Sequence, residues 1–255
     1  SRVWCMMRVK ATQTGTLKFG GVNASPQSPP LRVESPPEAV SLRFDDSGKL
    51  RELTTGYPVD RRVGNTGGLG GLFGVLEGLG APLPKVLTRP TGELLEPLLR
   101  AANIAPPSPS KELLALPSLG AEDALPEEIL LEKTQKLLDG NFGVESPEML
   151  ADGFTFTGPV VGPLQKSDFL KTFAGFNLQE AMPDLDFNYR DLRVCPFDVN
   201  RVWYTSSPTG KHTAELRLGD RKIAPTGRRW ESPPECGSVT FDGAGKVVSL
   251  TGGYV

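Results

Sequence analysis

The stretch ESPPEAVSLRFDDSGKLRELTTGY, residues 34–57, decides the fold because the chain spells it a second time. Residues 231–254 read ESPPECGSVTFDGAGKVVSLTGGY, and 14 of the 24 aligned positions are identical. Further upstream, SRVW (1–4) matches NRVW (200–203), with two extra residues in the first copy before the pentapeptide. Self-similarity of this length indicates a duplicated structural unit. Residues 1–57 and 200–254 are therefore predicted to share one shape.

The hydrophobic pattern around the second copy predicts an α+β domain. Residues 124–140 carry a helical apolar stripe, Ser146-Pro147-Glu148 starts a short second helix, and Ser167 is expected to cap a third. FTFTG (154–158) and the segments after residue 185 alternate with period two, as in an antiparallel meander. One face of that sheet is expected to pack on the helices, and it comprises Leu185, Phe187, Trp203, Leu216, Leu218, Val239 and Phe241.

Length and composition limit the classes of function. A chain of 255 residues has room for about two domains, and its 29 Gly and 24 Pro indicate many turns and an irregular linker. A net charge of −2 gives no reason to expect a nucleic-acid partner. Three scattered cysteines and a single histidine argue against a metal site, and no cofactor is expected.

The repeat predicts three regions. Residues 1–63 form the C-terminal sheet half of a first domain, because nothing upstream supplies helices. Residues 64–123 form a Gly-rich segment and a Pro-rich linker with a short helix at 91–104. Residues 124–255 form the complete second domain. A sheet of a few strands with one apolar face needs a cover, so the first half is expected to pack on upstream residues, on the second domain or on a partner chain.

The glycine-rich stretch GNTGGLGGLFGVLEGLG (64–80) lacks the Lys-Ser/Thr of a Walker loop and the third glycine of a dinucleotide-binding fingerprint. Its glycines stand four apart, which on a helix makes a groove for close packing. Docking to a partner or membrane surface is predicted for Gly67, Leu69, Gly70, Gly71, Leu72, Phe73, Gly74 and Leu76. The alternative is that this stretch packs against its own domain.

Several motifs of the second half occur in the order of a known family. They are FTFTGPVVGPLQKSDFLKTF (154–173), MPDLDF (182–187), GKHT (210–213), PTGRRW (225–230) and FDGAGKVVSLTGGYV (241–255). Together they resemble the SnoaL-like branch of the nuclear-transport-factor-2-like superfamily. The resemblance implies a cone of three helices on a curved antiparallel sheet, with a deep pocket and dimerisation through the sheet.

The resemblance also implies candidate site residues. SnoaL-like cyclases carry a pocket histidine where this chain has His212, and an aspartate near the position of Glu235 and Cys236. His212 and Glu235 are therefore the candidate catalytic pair, although the first copy has Gln13 in place of the histidine. A buried, hydrogen-bonded histidine is the structural alternative. The pocket is expected to be lined by Phe154, Phe156, Trp203, Tyr204 and Trp230.

Two classes of function follow. The first is a non-catalytic scaffold subunit that uses SnoaL-like domains to contact other proteins of a larger assembly. The second is a cyclase or isomerase that acts on a small apolar carbonyl compound by acid–base chemistry. The tandem repeat with its glycine segment is similar to algal plastid members of the family. That similarity implies a chloroplast location and a photosynthetic membrane complex as partner.

Overall fold

The computed structural model describes residues 1–19, 22–81, 118–158, 162–218 and 221–254. The chain divides into two compact units, Ser1–Ala105 and Pro106–Gly253. The helix predicted at 91–104 lies outside the described residues, as does most of the predicted linker. The glycine-rich stretch up to residue 81 belongs to the first unit.

The described residues of the first unit form short antiparallel strands and one helix. Its elements are β1 (Arg2–Met7), β2 (Lys10–Thr12), β3 (Leu17–Phe19), β4 (Val22–Ala24), β5 (Arg32–Glu34), β6 (Glu38–Phe44), β7 (Leu50–Pro58) and α1 (Gly71–Gly78). Strands β1, β6 and β7 form a sheet in the order β1-β6-β7, while β2 pairs with β5 and β3 with β4.

The second unit places helices before and beside a larger sheet. Its elements are α2 (Glu127–Asp139), β8 (Leu150–Thr157), β9 (Leu164–Gln165), α3 (Lys166–Ala174), α4 (Leu178–Ala181), β10 (Arg190–Val194), β11 (Arg201–Ser206), β12 (Thr209–Lys211), β13 (Leu216–Leu218), β14 (Arg221–Ile223), β15 (Arg229–Glu231), β16 (Glu235–Phe241) and β17 (Val247–Tyr254). Short 3-10 turns lie at Asn141–Gly143 and Pro147–Met149. The α+β class and the helix within 124–140 are confirmed. The prediction that Ser167 caps α3 is wrong, since the helix begins at Lys166.

The six-stranded sheet of the second unit is ordered β10-β11-β16-β17-β8-β9. The pairs β10–β11, β11–β16 and β8–β9 are antiparallel, whereas β17 and β8 run parallel. Its core joins apolar residues of α2, β8, α3 and the central strands: Leu130, Leu137, Leu138, Leu150, Phe154, Phe156, Leu164, Phe169, Val202, Tyr204, Val239, Phe241, Val247 and Leu250. Trp203 was expected on this face but points to the opposite one, because adjacent strand residues alternate and Val202 and Tyr204 face the core.

The first sheet repeats the central strands of the second. Strand order β1-β6-β7 corresponds to β11-β16-β17, and the ribbons β2–β5 and β3–β4 correspond to β12–β15 and β13–β14. The register also agrees, since Trp4 lies opposite Ser41 as Trp203 lies opposite Ser238. The two extra residues of the first copy fall between β4 and β5, so the insertion lengthens a loop and leaves every strand intact.

The hairpin turns that follow β6 and β16 are built alike. Asp45 accepts backbone hydrogen bonds from Ser47 and Lys49 at 3.0 and 2.9 Å. Asp242 accepts the same pair of bonds from residues 244 and 246 at 3.0 and 2.8 Å. Each turn closes with a glycine in the left-handed region, Gly48 at φ 76° and Gly245 at φ 75°. A side-chain oxygen that takes backbone donors, followed by a glycine, is the local reason why DDSGK and DGAGK form the same turn.

The glycine-rich stretch packs on the sheet of its own unit. Its helix α1 begins at Gly71, whose N–H donates to the fully buried carboxylate of Glu38 at 2.8 Å. A Cβ on Gly70 would come within 2.9 Å of the Glu38 Cδ, and one on Gly78 within 2.9 Å of a Val33 methyl. These glycines therefore allow the backbone of α1 to lie close to β5 and β6.

Candidate functional site

The second unit contains a cleft of about 490 Å³ between the C-terminal end of α2, the segment after α3 and the chain that enters β10. Apolar rings and Leu side chains form its walls, and polar groups line its rim. The lining residues are Leu138, Asp139, Asn141, Phe142, Glu145, Phe173, Phe176, Asn177, Leu178, Gln179, Glu180, Leu185, Asp186, Phe187 and Tyr189. Size and lining are those of a small-molecule site.

A cluster of rings forms the apolar wall of the cleft. Phe187 and Tyr189 are stacked, with centroids 5.4 Å apart and planes 6° apart. Phe142 meets both of them, and also Phe173, edge to face at 6.0–6.3 Å. Edge-to-face and offset contacts are the arrangements that aromatic quadrupoles favour, so the rings hold one another in place.

The backbone around these rings is held in uncommon conformations. Asn141 and Phe142 have φ of 51° and 57°, and Asn188 has φ of 50°, in a region that non-glycine residues seldom occupy. Asp186 fixes the second segment by exchanging two backbone hydrogen bonds of 2.9 Å with Thr209, while its carboxylate accepts the Asn188 N–H. Strained backbone of this kind concentrates at binding sites, where the geometry of a few side chains matters.

Tyr189 is a lining residue that carries a hydrogen-bond donor. Among the described residues its hydroxyl is buried and has no hydrogen-bond partner. Burial raises the pKa of the phenol well above its usual value, and the nearby Tyr204 and Asp139 raise it further. The group therefore remains a neutral O–H donor, and a ligand oxygen could accept its bond.

The rim of the cleft is acidic. Among the described residues, its lining contains the carboxylates of Asp139, Glu145, Glu180 and Asp186 and neither Lys nor Arg. The hydrogen bond from Asn177 and the neighbouring Arg217 lower the pKa of Glu180, so this exposed group is ionised at neutral pH. A rim with this charge disfavours anions and admits neutral or cationic molecules.

His212 is buried beside the loop that joins β14 and β15. Its Nδ1 accepts the backbone N–H of Thr226 at 3.3 Å and lies 3.1 Å from the hydroxyl of the same residue. In the neutral ring the proton then resides on Nε2, which is buried without a partner among the described residues. Gln13, at the equivalent position of the first unit, also makes a side-chain hydrogen bond, which its Nε2 donates to the carbonyl of Ala24 on β4 at 2.8 Å.

Glu235 is half-buried and accepts a hydrogen bond of 2.6 Å from Ser232. No hydrogen bond joins it to His212 in the part of the chain that the structure describes, and neither side chain lines the cleft. Their assignment as a catalytic pair stays a prediction. The backbone N–H groups of His212 and Gln13 donate to the carbonyls of Arg228 and Leu31, which are aligned in the two copies, and this supports a structural role for the position in both units.

The five expected pocket residues are distributed over different surroundings. Phe154, Phe156 and Tyr204 belong to the core, where both phenylalanines pack on Phe169 with centroids 5.0 and 5.3 Å apart. Trp203 is buried under the guanidinium of Arg201, 4.2 Å from its ring centroid. Trp230 is partly exposed on β15. None of the five lines the cleft.

The residues expected to dock a partner also divide. Gly74 and Leu76 are buried within the first unit, and Leu69, Gly70 and Gly71 are half-buried. Leu72 and Phe73 are exposed on α1, as is Gly67 before it. The outward surface of α1 is therefore limited to two large apolar side chains.

Sequence reasoning missed Phe142 and Tyr189, although one signal was present. In DFNYRD the rings of Phe187 and Tyr189 are two residues apart, which places them on one side of extended chain. Phe142 gives no such signal, since its position depends on the left-handed backbone after α2.

The described residues show no group of three or more His, Cys, Asp or Glu side chains arranged to hold a metal ion. None of the described helices has the length and apolar character needed to cross a membrane.

Solved structures similar to this chain cover about half of it. A protein from Jannaschia sp. CCS1 assigned as a SnoaL-like polyketide cyclase shares 18% identity over 50% of this chain and 85% of its own, with a TM-score of 0.37. AclR from Streptomyces galilaeus, assigned as a hydroxylase, shares 19% identity over 50% and 86%, with a TM-score of 0.37. A protein from Acidithiobacillus ferrooxidans assigned as a polyketide cyclase shares 17% identity over 53% and 89%, at 0.34.

Two of these three proteins are of the cyclase kind that the sequence motifs resemble. At these identities and TM-scores the similarity is limited to the backbone fold and gives no information about activity. No family model and no curated protein matches the sequence.

Proposed function

We propose that the second unit is a small-molecule pocket domain whose ligand is a small, ring-containing carbonyl compound that is neutral or cationic. The single observation behind this proposal is the cleft of about 490 Å³, which is lined by the stacked rings of Phe187 and Tyr189 and by a Tyr189 hydroxyl that is buried without a partner among the described residues. The rings favour a flat apolar ligand, and the hydroxyl supplies one donor for its oxygen. The carboxylates of the rim disfavour an acid.

The same lining suits cyclase- or isomerase-type chemistry. Removing a proton next to a carbonyl needs a base and a donor that stabilises the negative charge on oxygen. The Tyr189 hydroxyl is the donor in this proposal. Asp139 is the base, because its carboxylate lines the cleft and its charge acts on the Tyr189 phenol. Gln135 donates to Asp139 at 2.8 Å and so orients it.

Binding is tested by ligand-observed NMR with the full chain and a panel of aromatic ketones. Tyr189→Phe keeps the ring and removes the donor, so we expect weaker binding of the ketones and unchanged binding of matched hydrocarbons. Tyr57→Phe is the control, since Tyr57 is an exposed tyrosine of the first unit. Equal binding of ketones by Tyr189→Phe and the unaltered chain would remove the proposed role of the hydroxyl.

Proton transfer is tested by deuterium incorporation into the α-position of a bound ketone in D₂O. Asp139→Asn should retain ketone binding and lose this exchange, because the amide cannot act as a base. Glu132→Gln is the control, an exposed carboxylate on the same helix α2 that does not line the cleft. If the unaltered chain binds the ketone but no deuterium enters its α-position, the cleft binds a ligand without catalysing proton transfer.

We further propose that the first unit is the sheet half of a second SnoaL-like copy. Its strand order and register, which match β11–β17, support this. A scaffold role is the second candidate function, favoured by the exposed Leu72 and Phe73 on α1.

The chloroplast location and the photosynthetic partner stay predictions from the resemblance. Isolation of the native protein with identified photosynthetic subunits at fixed stoichiometry would test them, and its recovery outside plastids would contradict them.

A further inference from the structure

The sheet of the first unit exposes a row of apolar side chains whose counterparts in the second unit are buried. Val3 and Leu53 flank Leu42 across the three strands and are 50% and 54% exposed. Their counterparts in the second sheet, Val202 and Leu250, are 0% and 1% exposed. Equivalent positions in equivalent sheets therefore differ almost completely in burial.

The difference extends to the next row of the sheet. Leu50 pairs with Phe44 and is 50% exposed, whereas Val247 and Phe241 at the equivalent positions are both 0% exposed. The four residues Val3, Leu42, Leu50 and Leu53 are called the bare face below. Contiguous apolar surface of this kind on a small sheet indicates an interaction site.

The second unit shows what covers such a face. Val202, Val239 and Leu250 belong to one core cluster with Leu130, Leu137 and Leu138 of α2 and with Phe154 and Phe156 of β8. Strand β8 also pairs in parallel with β17, so that Leu250 lies beside Phe156. Among the described residues, β7 is an edge strand of its sheet and has no such neighbour. An open edge is a template for one more strand.

Helix α1 of the first unit covers only one end of this surface. Its Gly71 N–H donates to the carboxylate of Glu38, and Val40 on the same side of β6 is buried. Two positions further along β6, Leu42 is only half-buried, and both of its neighbours across the sheet are exposed. The unit's own helix therefore leaves the bare face open.

We propose that the bare face and the edge of β7 dock a helix–strand segment supplied by a partner polypeptide. The segment has the chemistry of residues 127–157: an amphipathic helix with Leu at the positions of Leu130, Leu137 and Leu138, and an aromatic strand that pairs in parallel with β7. The second unit supports this occupant, because its equivalent sheet is covered by that chemistry in that arrangement. The docked helix buries the bare face, and the docked strand forms hydrogen bonds with the unpaired backbone N–H and C=O groups at the edge of β7.

A fluorescently labelled peptide of residues 124–157 serves as the probe, titrated with the full chain. We expect saturable binding that Leu53→Glu weakens by about tenfold or more, because a carboxylate would then lie under the apolar helix. Tyr57→Glu is the matched control, since Tyr57 is an exposed apolar residue of β7 on the opposite face, opposite Ala39. A peptide of the same composition in scrambled order should not bind. Absent saturable binding, or equal weakening by both variants, overturns the proposal.

Hydrogen exchange locates the bound peptide. We expect slower exchange of the amide hydrogens of β7, from Leu50 to Tyr57, when the peptide is present. Protection of 247–254 instead would mean that the peptide replaces its own counterpart in the second unit, which overturns the proposal. A dimer of the full chain that Leu53→Glu dissociates would assign the bare face to a second copy and overturn it as well.

Discussion

At the scale of single residues, Gly237 is a position where the second sheet depends on a missing side chain. A Cβ there would lie 2.2 Å from the Tyr204 Cζ and 2.8 Å from the Thr251 carbonyl. We expect Gly237→Ala to lower the free energy of unfolding by about 1–3 kcal/mol, the usual cost of overpacking a core. Urea unfolding measures it. Gly153→Ala on β8 is the control, since its Cβ would meet nothing within 4 Å; equal midpoints for the two variants would contradict the packing described.

The buried phenol of Tyr204 predicts a loss of stability in alkali. Burial, and then the charge of Glu235, raise its pKa above the ordinary value of 10.0. Above about pH 10 the unfolded chain ionises this group while the folded chain keeps it protonated, so the free energy of unfolding falls as pH rises. Below that pH the contribution is constant.

Unfolding of the unaltered chain and of Tyr204→Phe is compared between pH 8 and 11. The variant loses the hydrogen bond to the Thr251 carbonyl, which lowers its stability at every pH by about 1 kcal/mol. The free energy of unfolding of the variant should fall less steeply above pH 10 than that of the unaltered chain. The decrease that is left comes from Tyr189 and Cys236, whose pKa values burial also raises. Parallel pH profiles for the two proteins would show that Tyr204 is not the titrating group.

At this scale the sequence predicts the residues that alternate along regular strands. Val239 and Phe241 are buried as the period-two pattern requires. The pattern cannot place both Trp203 and Tyr204 in one pocket, because neighbours on a strand point to opposite faces. The position of Phe142 in the cleft could not be predicted from the sequence, because it depends on a left-handed backbone conformation that residue propensities do not reveal.

At the scale of elements, helix α1 depends on one buried carboxylate. Glu38→Ala removes the acceptor of the Gly71 N–H and leaves a cavity under the first turn. We expect faster hydrogen exchange across Gly71–Gly78, equivalent to about 1–3 kcal/mol of lost protection, as for an unsatisfied buried donor. Glu77→Ala, on an exposed position of the same helix, should leave exchange unchanged. Unaltered exchange in Glu38→Ala would mean that the glycines alone fix the helix.

The spacing of the glycines predicts close packing but not its partner. Glu38 and Gly71 are 33 residues apart, so their contact is a tertiary one that local pattern cannot reveal. Leu72 and Phe73 point outward, while Gly74 and Leu76 are buried, as an amphipathic turn requires. Two of the eight residues expected to dock a partner, Gly74 and Leu76, are thus buried within their own unit.

At the scale of the whole molecule, the two units should differ in stability. In the second unit α2 packs on the sheet and β8 pairs with β17, whereas the first sheet has the bare face and, among the described residues, an open edge at β7. In increasing urea we expect residues 1–81 to lose hydrogen-exchange protection before residues 118–254. Loss of protection at one urea concentration throughout the chain would contradict this order.

The repeat of ESPPE predicts equivalent sheets because identical turn and strand residues impose identical local geometry. It does not reveal the cleft, which is built from segments that have no counterpart in residues 1–81. Nor does it show what covers the bare face, since burial of a sheet depends on chain far away in sequence.

The position of a bound ketone in a crystal tests the proposed pocket of the second unit. In crystals of the full chain soaked with acetophenone, we expect the ring against Phe187 and the carbonyl oxygen within hydrogen-bond distance of the Tyr189 hydroxyl. Soaked crystals of Tyr189→Phe should show the ring displaced or absent. Acetophenone bound elsewhere, with the cleft closed by its own side chains, would contradict the assignment of the second unit as a small-molecule pocket.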